Sequence, residues 1–390
     1  MNQGKTVFAQ LMSFVPFYEF KKCVERYQGD HRVRSFTCRQ QFLVMSFAQL
    51  TYRESLRDIE VCLKALASKL YHSGMSQNVS RSTVADANEN RDWRIYADFA
   101  QVLILQAREL FKADNEFLQR INQVAYALDS TTIDLSLGLF PWARFRKTKA
   151  AIKLHTLMDL NGSIPTFIDV TEALSHDVKF LDLISFEPGA VYVADMAYIS
   201  YERLYKIQQS QAFFITRCKT NMACRRVYSR QVDKATGVKY DQSVALINPV
   251  PKKLYPELLR RIKYTDQQTN KTFIFLTNNF DHEPITIALL YKERWKIELF
   301  FKWIKQHLRI KAFYGYSPNA VQLQVWIAIS TYLLVAIIRK KLNLEQNLYT
   351  LLQAFSLSLF EKIPINQLFE NTNYTLEHDK NSKQLNLFDL

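Results

Sequence analysis

Near Asn122 the spacing of the apolar residues changes from the three-to-four repeat of a helix to the two-residue repeat of a strand. A chain that does both must build a mixed α/β architecture, with a helical part first. Within residues 36–115, Thr37 is placed to cap the run 39–49, and Thr51 with Glu54 makes a capping box ahead of Leu56, Ile59, Leu63 and Leu66. Residues 79–86 lead from a polar loop into a helix rich in Asn, Arg and Asp. That order is similar to the turn and recognition helix of a helix-turn-helix, and an ordinary surface helix capped at Ser80 or Ser82 is the plainer alternative. Beyond Asn122 the apolar run 124–128 ends at Asp129 and residues 133–137 alternate. Residues 151–158 and 164–170 flank Asp159-Leu160-Asn161-Gly162, a hairpin signal. A short helix is expected over 180–186, a strand over 191–194 that stops at Asp195, a helix over 201–209 and a strand over 213–216. Residues 219–271 read as a β-rich insertion with charges clustered at Arg217, Lys219, Arg225, Arg226 and Arg230 and then at Lys252, Lys253, Arg260, Arg261 and Lys263, solvated strand faces being the plainer alternative. A strand over 272–277 and a long helix from Pro284 through Leu308 follow, then helices to about Phe369 and a polar tail.

The 390 residues hold 51 Lys and Arg against 37 Asp and Glu, a net charge of +14, which points to a polyanionic partner and first to nucleic acid. With 48% hydrophobic and 23% charged residues, this is the composition of a folded chain and not of a basic disordered tail. Only 8 Gly are present and neither phosphate-loop pattern, GxxxxGK[ST] or GxGxxG, occurs, which argues against the nucleotide-driven motors. The five cysteines form no CxxC pair, so small buried residues in a reducing, cytoplasmic setting are expected, with no metal at Cys218 and Cys224. No secretory signal is read in the first twenty residues, and the apolar stretch 325–338, interrupted by Ser330 and Thr331, suits a buried core helix better than the roughly twenty residues of a membrane span.

The chemistry is concentrated around Glu298. On a helical wheel Tyr291, Arg294, Glu298, Lys302 and Lys305 share one face, and Leu299, Phe300, Phe301, Trp303, Ile304 and Leu308 form the apolar arc. By itself this describes an exposed helix whose Glu298 pairs with Arg294 and Lys302. Asp129 and Asp195 change the reading, because each is expected to end an apolar strand. Rigid carboxylates from separate segments are what a hard divalent cation needs, and two strand-end Asp with one helix Glu could hold a metal pair for in-line phosphoryl transfer.

Tyr291-x2-Arg294-x3-Glu298-x6-Lys305 resembles the YREK signature of one branch of the DDE insertion-sequence transposases. Asp129-Ser130-Thr131-Thr132 is similar to that branch's first acidic motif, and Val193-Ala194-Asp195-Met196-Ala197-Tyr198 to its second, with Ala197 in place of the expected Gly. The resemblance implies a ribonuclease-H-like core interrupted by a β-rich insertion. It also implies that Asp129, Asp195 and Glu298 are catalytic and bind two Mg2+ ions, for which Mn2+ can substitute, while Tyr291, Arg294 and Lys305 contact phosphates at the transposon end. Lys302 lies on the same helix face. Arg144, Arg146, Lys147 and Lys149, interleaved with aromatics, suit DNA backbone contact, with a solvated hairpin loop as the alternative.

Residues 1–115 are then expected to be an N-terminal helical DNA-binding domain, 116–218 with 272–345 the catalytic domain, 219–271 the insertion and 346–390 a C-terminal helical segment and tail. The expected activity is binding of terminal inverted repeats followed by metal-dependent strand cleavage and transfer. A homodimer in the synaptic complex, target DNA as second substrate, no membrane, and a nucleoid-associated cytoplasmic location complete the expectation. A stand-alone nuclease of the same fold and a non-catalytic DNA-binding derivative remain open at this point.

Overall fold

The computed structural model describes residues 4–75, 79–219, 221–307 and 313–370, so Leu308, expected in the long helix, and the tail after residue 370 lie outside the described residues. The chain divides into two compact units. Among the described residues, one comprises those up to Phe111, Ile133–Ile152 and those from Phe301 to residue 370, and the other comprises Lys112–Thr132 and Lys153–Phe300. The described architecture is mixed α/β, with a large mixed sheet and an N-terminal helical region.

Ten strands occur among the described residues: β1 (Ala125–Leu135), β2 (Arg144–Arg146), β3 (Lys149–Asp159), β4 (Ile164–Glu172), β5 (Val191–Ala194), β6 (Phe213–Arg217), β7 (Cys224–Arg230), β8 (Val238–Leu246), β9 (Leu259–Thr265) and β10 (Thr272–Thr277). The short β2 pairs with the start of β3 in the first unit. From β3 the order runs β3-β1-β5-β6-β10-β9-β8-β7, with β4 also on β3. β1, β5 and β6 are mutually parallel, and β6, β10, β9, β8 and β7 alternate in direction. The strands of 219–271 therefore extend the same sheet from its β10 side.

The pleat decides which residues face which helices. Leu128, Tyr192, Ala194 and Phe214 are buried in one cluster with Leu204 and Ile207 of the helix Tyr201–Gln209. Ala127, Val193 and Ile215, at alternate positions, are fully buried on the opposite face, where the helix Pro284–Glu293 packs on β5 and β6. Small side chains at Ala127 and Ala288 suit that close approach.

In the helical unit Thr37 caps Cys38–Leu50 as expected, its hydroxyl accepting from the Gln40 N–H. The next helix, Leu56–Ala65, is capped by Ser55, which accepts from the Asp58 N–H, and not by Thr51; Thr51 instead donates to the Phe47 carbonyl and closes the preceding helix. Ser80 caps Arg81–Asn90. The 24-residue helix Pro318–Lys341 is long and apolar enough to cross a membrane by length and composition, yet it is almost wholly buried, against Arg94–Phe111 and Cys38–Leu50. All five cysteines are free, and Cys62, Cys218 and Cys224 are only half-buried, against the expectation of burial for all.

Three further expectations are corrected. β1 does not stop before Asp129 but runs on to Leu135, because the β-branched Thr131, Thr132 and Ile133 favour extended backbone. The segment expected as a helix at 180–186 is a 3-10 turn, Asp177–Leu183. The long helix is two, Pro284–Glu293 and Trp295–His307, joined at Arg294 by i to i+3 bonds of 3.1 Å from Arg294 N to the Tyr291 carbonyl and from Ile297 N to the Arg294 carbonyl. The jog turns Leu299, placed in the apolar arc by the wheel, outward to 48% exposure and leaves Ile297 fully buried.

Candidate active site

The ladder between β1 and β5 ends with Leu128 opposite Ala194, and the ladder between β5 and β6 has Ala194 opposite Thr216. The next residues in register are Asp129, Asp195 and Arg217. Adjacent strands lie about 4.8 Å apart, and by the pleat all three side chains point to the face of Ala127, Val193 and Ile215. The helix pair Pro284–Glu293 and Trp295–His307 delivers Tyr291, Arg294 and Glu298 to the same place. All six line one cavity of about 290 Å³, together with Lys292 and Phe275.

Two arginines hold the three carboxylates. Arg294 Nη1 donates to Asp129 Oδ2 at 2.7 Å, and its Nη2 donates to Glu298 Oε1. Arg217 donates to Asp195 Oδ1 from both Nε and Nη2, at 3.1 and 2.9 Å. With side-chain exposures of 15% for Arg294, 20% for Asp129 and 26% for Glu298, these are not the exposed helix pairs that spacing alone suggests. Burial pushes the Asp129 carboxyl up to about 6, with Glu298 and Asp195 adding to the shift and Arg294 and the Ser130 N–H opposing it. Burial works against the Arg294 charge, but Tyr291, Asp129 and Glu298 outweigh it and the group stays firmly protonated. Tyr291 is 8% exposed and packs on Phe275 with ring centres 4.9 Å apart; burial raises its hydroxyl above the ordinary tyrosine range.

A second polar group sits behind Asp129. Its Oδ1 accepts from the Ser130 N–H at 2.8 Å, and Ser130 Oγ donates to Asp177 Oδ1 at 2.6 Å. Asp177 also pairs with Lys153 at 3.2 Å, while the buried His155 lies 3.7 Å from it, stacked on Phe180. Tyr198, three residues after Asp195, is buried near Asp129 and Ser130, which raises its hydroxyl pKa through loss of solvent first and then through the Asp129 charge.

Three carboxylates in one cavity are hard oxygen donors, so the donor set suits a divalent cation. As arranged, however, no three His, Cys, Asp or Glu side chains among the described residues lie close enough to share one ion, and Arg294 bonds two of the acids while Arg217 bonds the third. Of the expected DNA-contacting residues, Tyr291 and Arg294 line the cavity. Arg144, Arg146, Lys147 and Lys149, all exposed, belong to the other unit, as do the exposed Lys302 and the half-buried Lys305. Arg217 is the residue that sequence reasoning placed elsewhere, in the charge cluster of the insertion. The rule that singled out Asp195, the first polar residue after a short apolar strand, applied to 213–216 points directly to it.

The segment holding all of these residues, 122–334, matches the family described as the transposase DDE domain. That match spans more than half of the chain. It belongs to the DDE transposase family. Residues 3–76 match a separate domain of unknown function, DUF4372. The protein named as transposase y4zB in Sinorhizobium fredii is 34% identical over 258 residues, covering 65% of this chain and 70% of its own. Two more distant relatives are named as transposases for insertion sequence elements. That of IS5377 in Geobacillus stearothermophilus is 28% identical over 53% of this chain and 55% of its own, and that of IS4SA in Synechocystis is 24% identical over 67% and 72%. Within this DDE transposase the matched segment includes Asp129, Asp195, Arg217, Tyr291, Arg294, Glu298 and Lys305 alike.

Proposed function

We propose that this chain is an insertion-sequence transposase of the YREK-signature branch, and that Asp129, Asp195 and Glu298 are its catalytic carboxylates. The observation that carries the reading is the register. Two parallel ladders end together, so Asp129 and Asp195 follow side by side on the one face that Glu298 also reaches. The strand order β4-β3-β1-β5-β6, with the last three parallel, supports a ribonuclease-H-like core, and relatives named for insertion sequences support the biological setting.

The three carboxylates would hold the divalent cations, Mg2+ or Mn2+, which when bound supply a more acidic water and stabilise the leaving oxygen. The chain's own part is to seat the phosphodiester of the transposon end over Asp129 and Asp195, and to exclude bulk water with Tyr291 and Phe275. Water attack breaks the P–O3′ bond of the phosphodiester and frees a 3′-hydroxyl, and that hydroxyl then attacks a second phosphodiester, whose own 3′ oxygen leaves. The Lys and Arg excess provides non-specific hold on the backbone, with Lys302, Lys305, Arg144, Arg146, Lys147 and Lys149 as contributors. The helices of residues 1–115, with the exposed start of Arg81–Asn90, would read the terminal repeats, and two copies would pair the two ends. The test is cleavage of a duplex carrying the repeats that flank the gene. Asp129→Asn, Asp195→Asn and Glu298→Gln should each abolish cutting and leave DNA affinity nearly intact, and near-normal cutting by any one removes that residue from the assignment.

A further inference from the structure

We infer that in the DNA-free protein Arg294 occupies the place of the divalent cation, and that guanidinium and cation exclude one another until a DNA phosphate draws Arg294 away. This rests on the metal-dependent reading above and adds its regulation, a coupling of metal loading to substrate.

Arg294 satisfies Asp129 and Glu298 at once, taking Oδ2 of one and Oε1 of the other. The remaining oxygen of Asp129 already accepts the Ser130 N–H. A cation that takes Asp129 Oδ2 or Glu298 Oε1 must therefore displace Arg294, and one that takes Glu298 Oε2 comes to lie beside the guanidinium. Arg217 differs, since both of its bonds go to the one oxygen Oδ1 of Asp195 and it joins no second acid; no metal-ready trio of acids exists among the described residues. A dication placed beside a buried, permanently charged guanidinium meets strong repulsion in a site shielded from water. Arg294 is also suited to leave for a particular partner. Its Nε is buried and makes no hydrogen bond among the described residues, and a planar guanidinium matches the two oxygens of a phosphate better than it matches two separate carboxylates. The signature arginine would thus serve the carboxylates before DNA arrives and the phosphate afterwards. The free protein would be kept from holding an activated metal site with no substrate in it.

The experiment measures Mn2+ binding by electron paramagnetic resonance, in the free protein and with a duplex carrying the flanking repeats. The wild type should bind Mn2+ weakly alone and about tenfold or more tightly with the duplex, within the usual range of coupling between two sites. Arg294→Gln, without duplex, should gain a similar factor and lose most of the coupling. Arg294→Lys, which keeps the charge, should stay as weak as the wild type. Equal Mn2+ affinity of the wild type with and without duplex overturns the inference and needs no variant. So does an Arg294→Gln protein of normal melting temperature that binds no more tightly than the wild type. Asp129→Asn distinguishes the two levels: if Mn2+ binds the wild-type complex and this variant abolishes it, the metal assignment stands whatever Arg294 does. If the wild-type complex binds no Mn2+, the metal assignment itself fails.

Discussion

His155 offers a pH test of the polar group behind the site. Its side chain is 1% exposed on β3, its ring stacks on Phe180 with centres 5.3 Å apart, and its Nδ1 is buried without a hydrogen-bond partner among the described residues. Burial lowers its pKa from 6.5 to about 4, with Asp177 pulling the other way and Lys153 adding to the fall. Between those values the unfolded chain binds the proton and the folded chain does not, so stability rises with pH through this window and is lost on acidification. The full displacement corresponds to at most about 3.4 kcal/mol at 1.36 kcal/mol per unit. At pH 4.5 about 2.5 kcal/mol of that ceiling is lost, so the expected loss is about 1–2.5 kcal/mol. His155→Phe keeps the stack and cannot titrate. Urea unfolding at pH 7.5 and 4.5 should therefore show the variant losing less stability than the wild type, by about that amount. The comparison cancels contributions from other groups, Asp129 among them. Equal acid sensitivity in the two proteins would refute the claim that His155 is held neutral.

Two further outcomes are expected. Arg217→Gln removes both bonds to Asp195, and the loss of a charge-assisted contact, about 1.5–3 kcal/mol, should slow single-turnover cleavage roughly ten- to a hundredfold; an unchanged rate would leave Arg217 as a bystander. Deleting residues up to Phe111 strips Arg94–Phe111 from Pro318–Lys341, so the truncated chain should self-associate through that apolar helix on size-exclusion chromatography, and a monodisperse monomer would contradict the packing described.

Short elements bounded by polar residues were legible in the sequence. The strands Val191–Ala194 and Thr272–Thr277 and the helix Tyr201–Gln209 fall where apolar runs and periods put them, because each is decided within its own few residues. Asp195 follows directly from the first of these. The strand end expected at Asp129 does not occur: the strand continues, and what sets Asp129 beside Asp195 is where pairing to β5 stops, a property of two strands and not of one. Arg294 breaks the helix without proline or glycine, so no wheel reveals the jog, and its bond to Asp129 joins residues 165 apart in the chain. The packing of Arg94–Phe111 on Pro318–Lys341 is equally non-local. The hydrophobic period shows that each helix has a face to bury, and nothing in it names the partner.

The most direct test of the three carboxylates as the metal site is the anomalous diffraction of Mn2+ in crystals of the protein bound to its terminal-repeat duplex. A peak coordinated by Asp129 and Asp195 is expected, with Glu298 joining the site and Arg294 no longer bonded to both Asp129 and Glu298. Mn2+ bound away from all three carboxylates, with both arginine pairings intact in the DNA complex, would contradict it.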